Sequence, residues 1–180
     1  MKLFRILVTL SIMFLSSLAT VSFAAGDSAY RLGSGDVISI NVFGEEDLSF
    51  DKIRLTDAGT LSFPFLGEVR ANGKTAIELE SIIIQGLKGD YLIDPKVSVS
   101  VLEYREFFIS GEVKSPGGYP FKPGLNLQKA ITLAGGLTDR ASERKMFIVR
   151  DGESEADAEK ADMNTPVMPG DMIKIEESFF

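Results

Sequence analysis

The sequence predicts an α+β protein built from two small mixed modules, and three observations carry that expectation. Stretches with apolar residues at every second position recur, as in ISINV (residues 38–42) and VSVSV (residues 97–101). Two other stretches carry apolar residues at helical spacing, each opened by a residue that can cap a helix. The order strand, turn, helix, strand occurs twice, dividing near Tyr104.

The first 24 residues predict a signal peptide rather than a part of the fold. Lys2 and Arg5 make a positive start, residues 6–18 form an apolar run, and Ser22-Phe23-Ala24 supplies small residues for cleavage after Ala24. An uncleaved anchor is the alternative, but the run falls short of the ~20 apolar residues needed to span a bilayer. The chain has no cysteine, so it has neither disulfides nor a cysteine for lipid attachment. Without the leader, 17 basic residues stand against 26 acidic ones, a net charge of −9. That charge repels phosphate backbones, so no nucleic-acid partner is expected.

In the first module, YRLGSGDVISINVFGE (residues 30–45) passes from a Gly-Ser-Gly-Asp turn into a half-buried strand. Ile38, Ile40 and Val42 share one face. Asp57-Ala58-Gly59 predicts a turn between two strands, and Pro64 predicts an edge or a bulge in the second of them. Thr75-Ala76-Ile77-Glu78 has the spacing of a capping box. The helix that it opens places Ala76, Leu79, Ile83 and Leu87 on one stripe and ends at Gly89. In the strand that follows, Val97, Val99 and Val101 face inward.

The second module repeats this plan. FFISGEV (residues 107–113) predicts a strand, SPGG (residues 115–118) a turn, and YPF (residues 119–121) a short strand. A helix over residues 127–134 comes next, then strands at MFIVR (residues 146–150) and MIKIEE (residues 172–177). Gly67-Glu68-Val69 recurs as Gly111-Glu112-Val113, and GDVISI (residues 35–40) as GDMIKI (residues 170–175). Matches this short suggest related halves but arise equally from shared turn-then-strand chemistry. DGESEADAEKAD (residues 151–162) lacks the residue order of a calcium loop and predicts a solvated, mobile loop.

The adjacent glycines in LAGGLT (residues 133–138) resemble a phosphate cradle only at first sight. Such cradles precede a helix, where free amides and the positive dipole end gather. Here the glycines follow one: Asn126 is placed to cap its start, Leu127, Ala130, Ile131 and Ala134 form its stripe, and Gly135 falls at the left-handed stop. Leu137 is placed to fold back as the accompanying apolar contact.

Catalytic candidates are few. The chain has no histidine, cysteine or tryptophan, which removes the usual neutral-pH base, the thiol nucleophile and the common zinc ligands. Glu45-Glu46-Asp47 could serve a carboxylate-dependent glycan hydrolase, although adjacent acids on a polar loop point apart and stay solvated. No catalytic residue, metal ligand or cofactor is assigned.

YRLGSGDVISINVFGEEDLS, TDAGTLSFPFLGEV and DYLIDPKVSVSVLEYRE resemble the export domain of bacterial outer-membrane polysaccharide export proteins, the Wza-like family. FFISGEVKSPGGYPFKPGLNLQKAITLAGGLTDRA, followed by MPGDMIKI, resembles the β-grasp SLBB domain that accompanies it. Beyond the signal peptide over 1–24, the resemblance implies an export domain over 27–104 and an SLBB domain over 105–180. It further implies a non-enzymatic periplasmic component of a capsule or exopolysaccharide export machine. Such proteins form ring-shaped homo-oligomers that conduct polysaccharide and dock on an inner-membrane copolymerase, often a tyrosine autokinase.

Longer relatives carry a lipidated cysteine and a C-terminal membrane-crossing helix. This sequence ends just after MIKIEE and has the look of a short form, so a separate outer-membrane β-barrel is expected as partner. Ser178-Phe179-Phe180 is expected to be a docking tail or a packed strand end. Tyr104 and Arg105, at the module junction, are the candidate sugar contacts: a ring face to stack and a guanidinium to meet acidic polymer. The alternative for them is a core tyrosine and a solvated arginine. A free-standing glycan-binding module is the rival to the export reading.

Overall fold

The computed structural model describes residues 30–178; the expected signal peptide over 1–24, residues 25–29 and the last two phenylalanines lie outside the described residues. The fold is α+β, with twelve principal elements. In the first module these are β1 (Val37–Val42), β2 (Phe50–Arg54), β3 (Thr60–Phe63), β4 (Gly67–Arg70), α1 (Ala76–Leu87) and β5 (Val97–Glu103). In the second they are β6 (Phe107–Gly111), β7 (Gly117–Tyr119), α2 (Leu127–Leu133), β8 (Ala141–Val149), β9 (Glu159–Ala161) and β10 (Met172–Glu177).

The first module is a three-stranded antiparallel sheet in the order β2-β1-β5, with the β3–β4 hairpin beside it. Alternation along β1 buries Ile38, Ile40 and Val42 in the first core, and Val37, ahead of a register shift against β5, is buried as well. Helix α1 starts at the expected capping box: the Thr75 hydroxyl accepts from the Glu78 amide, and the Glu78 carboxylate accepts from the Thr75 amide. It buries Leu79, Ile83 and Leu87, each contributing roughly 1.5–3 kcal/mol. Glu80 reaches from the helix to accept from the Val99 amide at 2.8 Å, which occupies part of the outer edge of β5.

Pro64 does not bulge a strand. It opens the three-residue loop between β3 and β4, past the last ladder pair, Phe63 with Gly67. The next residue, Phe65, is the non-glycine residue with positive φ (65°) among the described residues. A left-handed conformation costs roughly 1–2 kcal/mol for such a residue. Its ring stacks on Tyr91 at 4.7 Å with 20° between planes. An aromatic pair of this kind contributes about 0.5–1.5 kcal/mol, which offsets most of the strain. Leu66 then turns inward against Gly86 of α1, where an added Cβ would lie 2.8 Å from the leucine methyls.

The second module is a mixed five-stranded sheet, β7-β6-β10-β8-β9, wrapped on α2 in the β-grasp manner. Strands β6 and β10 run parallel at its centre, and the other pairs are antiparallel. The short strand expected at YPF lies two residues earlier, over Gly117–Tyr119, because Pro120 has no N–H to continue the ladder. Part of the acidic stretch expected as a mobile loop forms strand β9, pairing with β8 and burying Ala161, behind a 3-10 turn at Glu155–Asp157.

Helix α2 ends in a Schellman motif. The Gly136 amide donates to the Ile131 carbonyl and the Gly135 amide to that of Thr132, with both glycines left-handed. The glycine-rich stretches hold each other: the amides of Lys114 and Ser115 donate to the carbonyls of Gly136 and Ala134, and Val113 bridges to Leu137. Each module has its own core, one centred on Ile38, Ile40, Leu61, Phe63 and Leu79, the other on Phe107, Ile109, Leu127, Ile148 and Ile173.

The sheets differ in strand direction, so the echoed motifs mark shared turn chemistry and not two copies of one module. Both Gly-Glu-Val glycines are left-handed, at φ 72° for Gly67 and 84° for Gly111. Only Gly111 is also crowded, since a Cβ there would lie 2.0 Å from the Ile175 carbonyl oxygen. Gly67→Ala should therefore cost about 1–2 kcal/mol from the backbone alone, and Gly111→Ala clearly more, by urea unfolding. The Thr75 amide holds the Glu78 carboxyl below the ordinary glutamate value of 4.5. A lowered folded pKa gives stability that is present above that value and lost as pH falls through the folded one. Glu78→Gln should lower the thermal midpoint at pH 7, and the difference should close in acid below pH 4.5.

Candidate functional site

The two GD turns bury the two aspartates of the echoed motif, Asp36 and Asp171. In each, the aspartate carboxylate accepts from the amide three residues earlier, Gly33 at 2.8 Å and Met168 at 2.7 Å. Each aspartate amide donates back to that residue's carbonyl. The glycine before the aspartate supplies the positive φ: 84° at Gly35 and 87° at Gly170. A buried carboxylate needs a partner, and each has an arginine: Arg105 for Asp36 and Arg150, at 2.7 Å, for Asp171. Burial raises the Asp171 pKa, against the pull of the Met168 amide and the Arg150 guanidinium.

Arg105 joins the modules. Its backbone amide donates to Asp36 Oδ1 at 2.9 Å, and its Nη1 donates to the Tyr30 hydroxyl at 2.7 Å and to Asp36 Oδ2 at 3.3 Å. Its Nη2 donates to Asp151 of the second module at 2.7 Å. The Tyr30 hydroxyl donates in turn to Asp36 Oδ2 at 2.5 Å. Burial first, then this hydrogen bond, pushes the Tyr30 phenol far above its usual range, so it stays a neutral donor. The guanidinium lies between two glycines: a Cβ would come within 2.4 Å of it at Gly33 and 2.8 Å at Gly170. Only 19% of the Arg105 side chain is exposed.

Beside this clasp, Tyr30, Tyr104 and Phe121 make a run of edge-to-face rings with centroids 4.8 and 5.3 Å apart. Tyr104 and Phe121 form one wall of an open cleft of about 820 Å³ between the modules. Exposed Leu102 and Phe108 add apolar surface, and Arg54 and Lys122 add positive charge. Arg54 is paired with Glu103, whose carboxyl is held low by the hydrogen bond from Lys52. A smaller hollow of about 390 Å³ lies on the sheet face away from α2, lined by Phe147, Met172 and Lys174.

The junction thus brings the two expected contacts, Tyr104 and Arg105, to one cleft, with different commitments. Tyr104 is half-buried, between Tyr30 and Phe121, while the Arg105 guanidinium is engaged by protein groups. Glu45, Glu46 and Asp47 lie elsewhere, exposed around a 3-10 turn after β1. Sequence reasoning missed Phe108 and Phe121. The Phe107-Phe108 pair carried a signal: adjacent strand residues face opposite ways, so one ring must leave the core. Nothing in the sequence marked Phe121, which reaches the cleft from the irregular stretch between β7 and the Pro123-Gly124 turn.

Removing Arg105 leaves Asp36 buried with one charged partner fewer. Arg105→Ala should cost about 3–5 kcal/mol in urea unfolding. Arg31→Ala, which removes an exposed pair with Glu78 at 3.4 Å, should cost no more than about 1 kcal/mol.

Comparison with known proteins follows the same division of the chain. Residues 24–102 match the family described as polysaccharide biosynthesis/export protein, and residues 107–158 match the SLBB domain. The exopolysaccharide production protein ExoF of Rhizobium meliloti is 44% identical over 92 residues, which cover 50% of this chain and 22% of that protein. The EPS I polysaccharide export outer membrane protein EpsA of Ralstonia nicotianae is 26% identical over 181 residues, 82% of this chain and 47% of that protein. Its namesake from Ralstonia solanacearum is 25% identical over 82% of this chain and 48% of its own length. The chain spans less than half of each of these relatives. With both stretches matched in order, the chain belongs to the polysaccharide biosynthesis/export family of Wza-like proteins.

Proposed function

We propose that this chain is a non-enzymatic, periplasmic component of an exopolysaccharide export machine. The observation that carries the reading is the export match followed directly by the SLBB match, each on its own core, in a chain whose relatives are named for exopolysaccharide production or export. In this reading residues 27–104 and 105–180 act as export and SLBB domains within a ring of identical chains. The ring links an inner-membrane copolymerase to an outer-membrane β-barrel and conducts polymer without making or breaking a bond. No helix among the described residues is long and apolar enough to cross a membrane.

The inter-module cleft is the proposed place of polymer contact. Apolar rings and a few convergent polar groups are the usual composition of a ligand site. Tyr104, Phe121 and Phe108 would meet sugar ring faces, and Lys122 would meet hydroxyls or acidic substituents. Arg105 serves this site by fixing the angle between the modules.

Deleting the gene should abolish surface and secreted polysaccharide while the glycosyltransferase activity of isolated membranes persists. Unchanged surface polysaccharide in the deletion strain would sink the proposal. A chain that stays monomeric at high concentration, alone and with membrane extracts, would favour a free-standing glycan-binding module.

A further inference from the structure

The first module carries a second aromatic feature, far in sequence from the junction and unused by the cleft. Phe65 is 64% exposed and Tyr91 48% exposed, and their rings lie nearly parallel, 4.7 Å apart. Ile93, two residues beyond Tyr91, is 93% exposed. Phe65 is held left-handed at φ 65° in a loop whose next residue, Leu66, is locked against Gly86. The strain and the ring stack nearly cancel, so the fold gains little from an aromatic residue at a position that glycine would occupy without strain. Stability therefore does not account for the ring.

Resting on the export reading, we infer that Phe65 and Tyr91 form a stacking platform for a neutral hexopyranose unit of the exported polymer. The electron-rich face of an aromatic ring attracts the weakly positive C–H face of a pyranose. The sign of the surrounding charge selects which sugar. Asp90 and Asp94 flank Tyr91 in the chain, both are exposed, and neither carboxylate has a hydrogen bond or ion pair among the described residues. Free carboxylates accept hydrogen bonds from sugar hydroxyls and repel uronate units. The cation–ring contact found among the described residues is that of Arg105 with Tyr30, so no cation covers the Phe65–Tyr91 rings.

The test is titration calorimetry of the mature chain with gluco-, galacto- and manno-hexaose, and with hexagalacturonate as the acidic probe. At least one neutral hexaose should bind, and Phe65→Gly and Tyr91→Ala should each weaken it about tenfold, as expected for loss of one stacking contact. The two variants should keep the thermal midpoint of the native chain to within a few degrees, which separates lost binding from lost fold. Three results would each overturn the platform: no neutral hexaose bound, equal binding by the variants, or preference for hexagalacturonate. A fourth is loss of self-association in both variants with hexaose binding intact, which would make the rings a contact between copies. In cells, a deletion that blocks export while the Phe65→Gly/Tyr91→Ala chain restores it fully would reject the platform and leave the export reading standing. A deletion without effect would reject the export reading, and the titrations would still decide the platform.

Discussion

The arrangement of the two modules depends on one buried ion pair, that of Arg105 with Asp36. Asp36 is fully buried, and taking a carboxylate out of water costs several kcal/mol unless its lone pairs are used. Here they are used by the Gly33 amide, the Arg105 amide, the Tyr30 hydroxyl and the guanidinium. Because Arg105 also holds Asp151, satisfying the first module's buried acid fixes where the second module sits. The glycines at 33 and 170 follow from the same requirement, since any side chain there would occupy the guanidinium's space. The cleft walled by Tyr104 and Phe121 is a product of that angle.

Much of the fold was legible because its signals are local. The capping box at Thr75 and Glu78, the valine alternation of β5 and the Schellman glycines after α2 each depend on a few neighbouring residues. Reading Gly135-Gly136 as a helix stop dismissed a phosphate site, and the structure places those glycines against Lys114 and Ser115. The elements that escaped depend on distant pairing. Strand β9 is a run of three residues, EKA, in an acidic stretch, and it exists because β8 offers an edge. Strand β7 has two glycines and no pattern of its own.

The candidate site was legible only as a place. Sequence reasoning located the junction and chose Tyr104 and Arg105, but a guanidinium's partners cannot be read from its neighbours in the chain. Those partners lie at positions 30, 36 and 151. The recurrence of Gly-Asp before β1 and β10 was visible, yet its meaning was not: two buried acids, each demanding an arginine, in modules whose strands run differently.

Both modules share a feature that bears on the order in which the chain can fold. In each, the first strand pairs with the last: β1 with β5, and β6 with β10. The β6–β10 ladder joins Phe108 to Met172, so the centre of that sheet cannot close until the chain beyond residue 172 is free. A polypeptide made N-terminus first can complete its first module early and keeps the second open until residues 172–177 are available. Gly170, Asp151 and their hold on Arg105 then come last. The angle between the modules, and the cleft with it, is set only once β10 has paired.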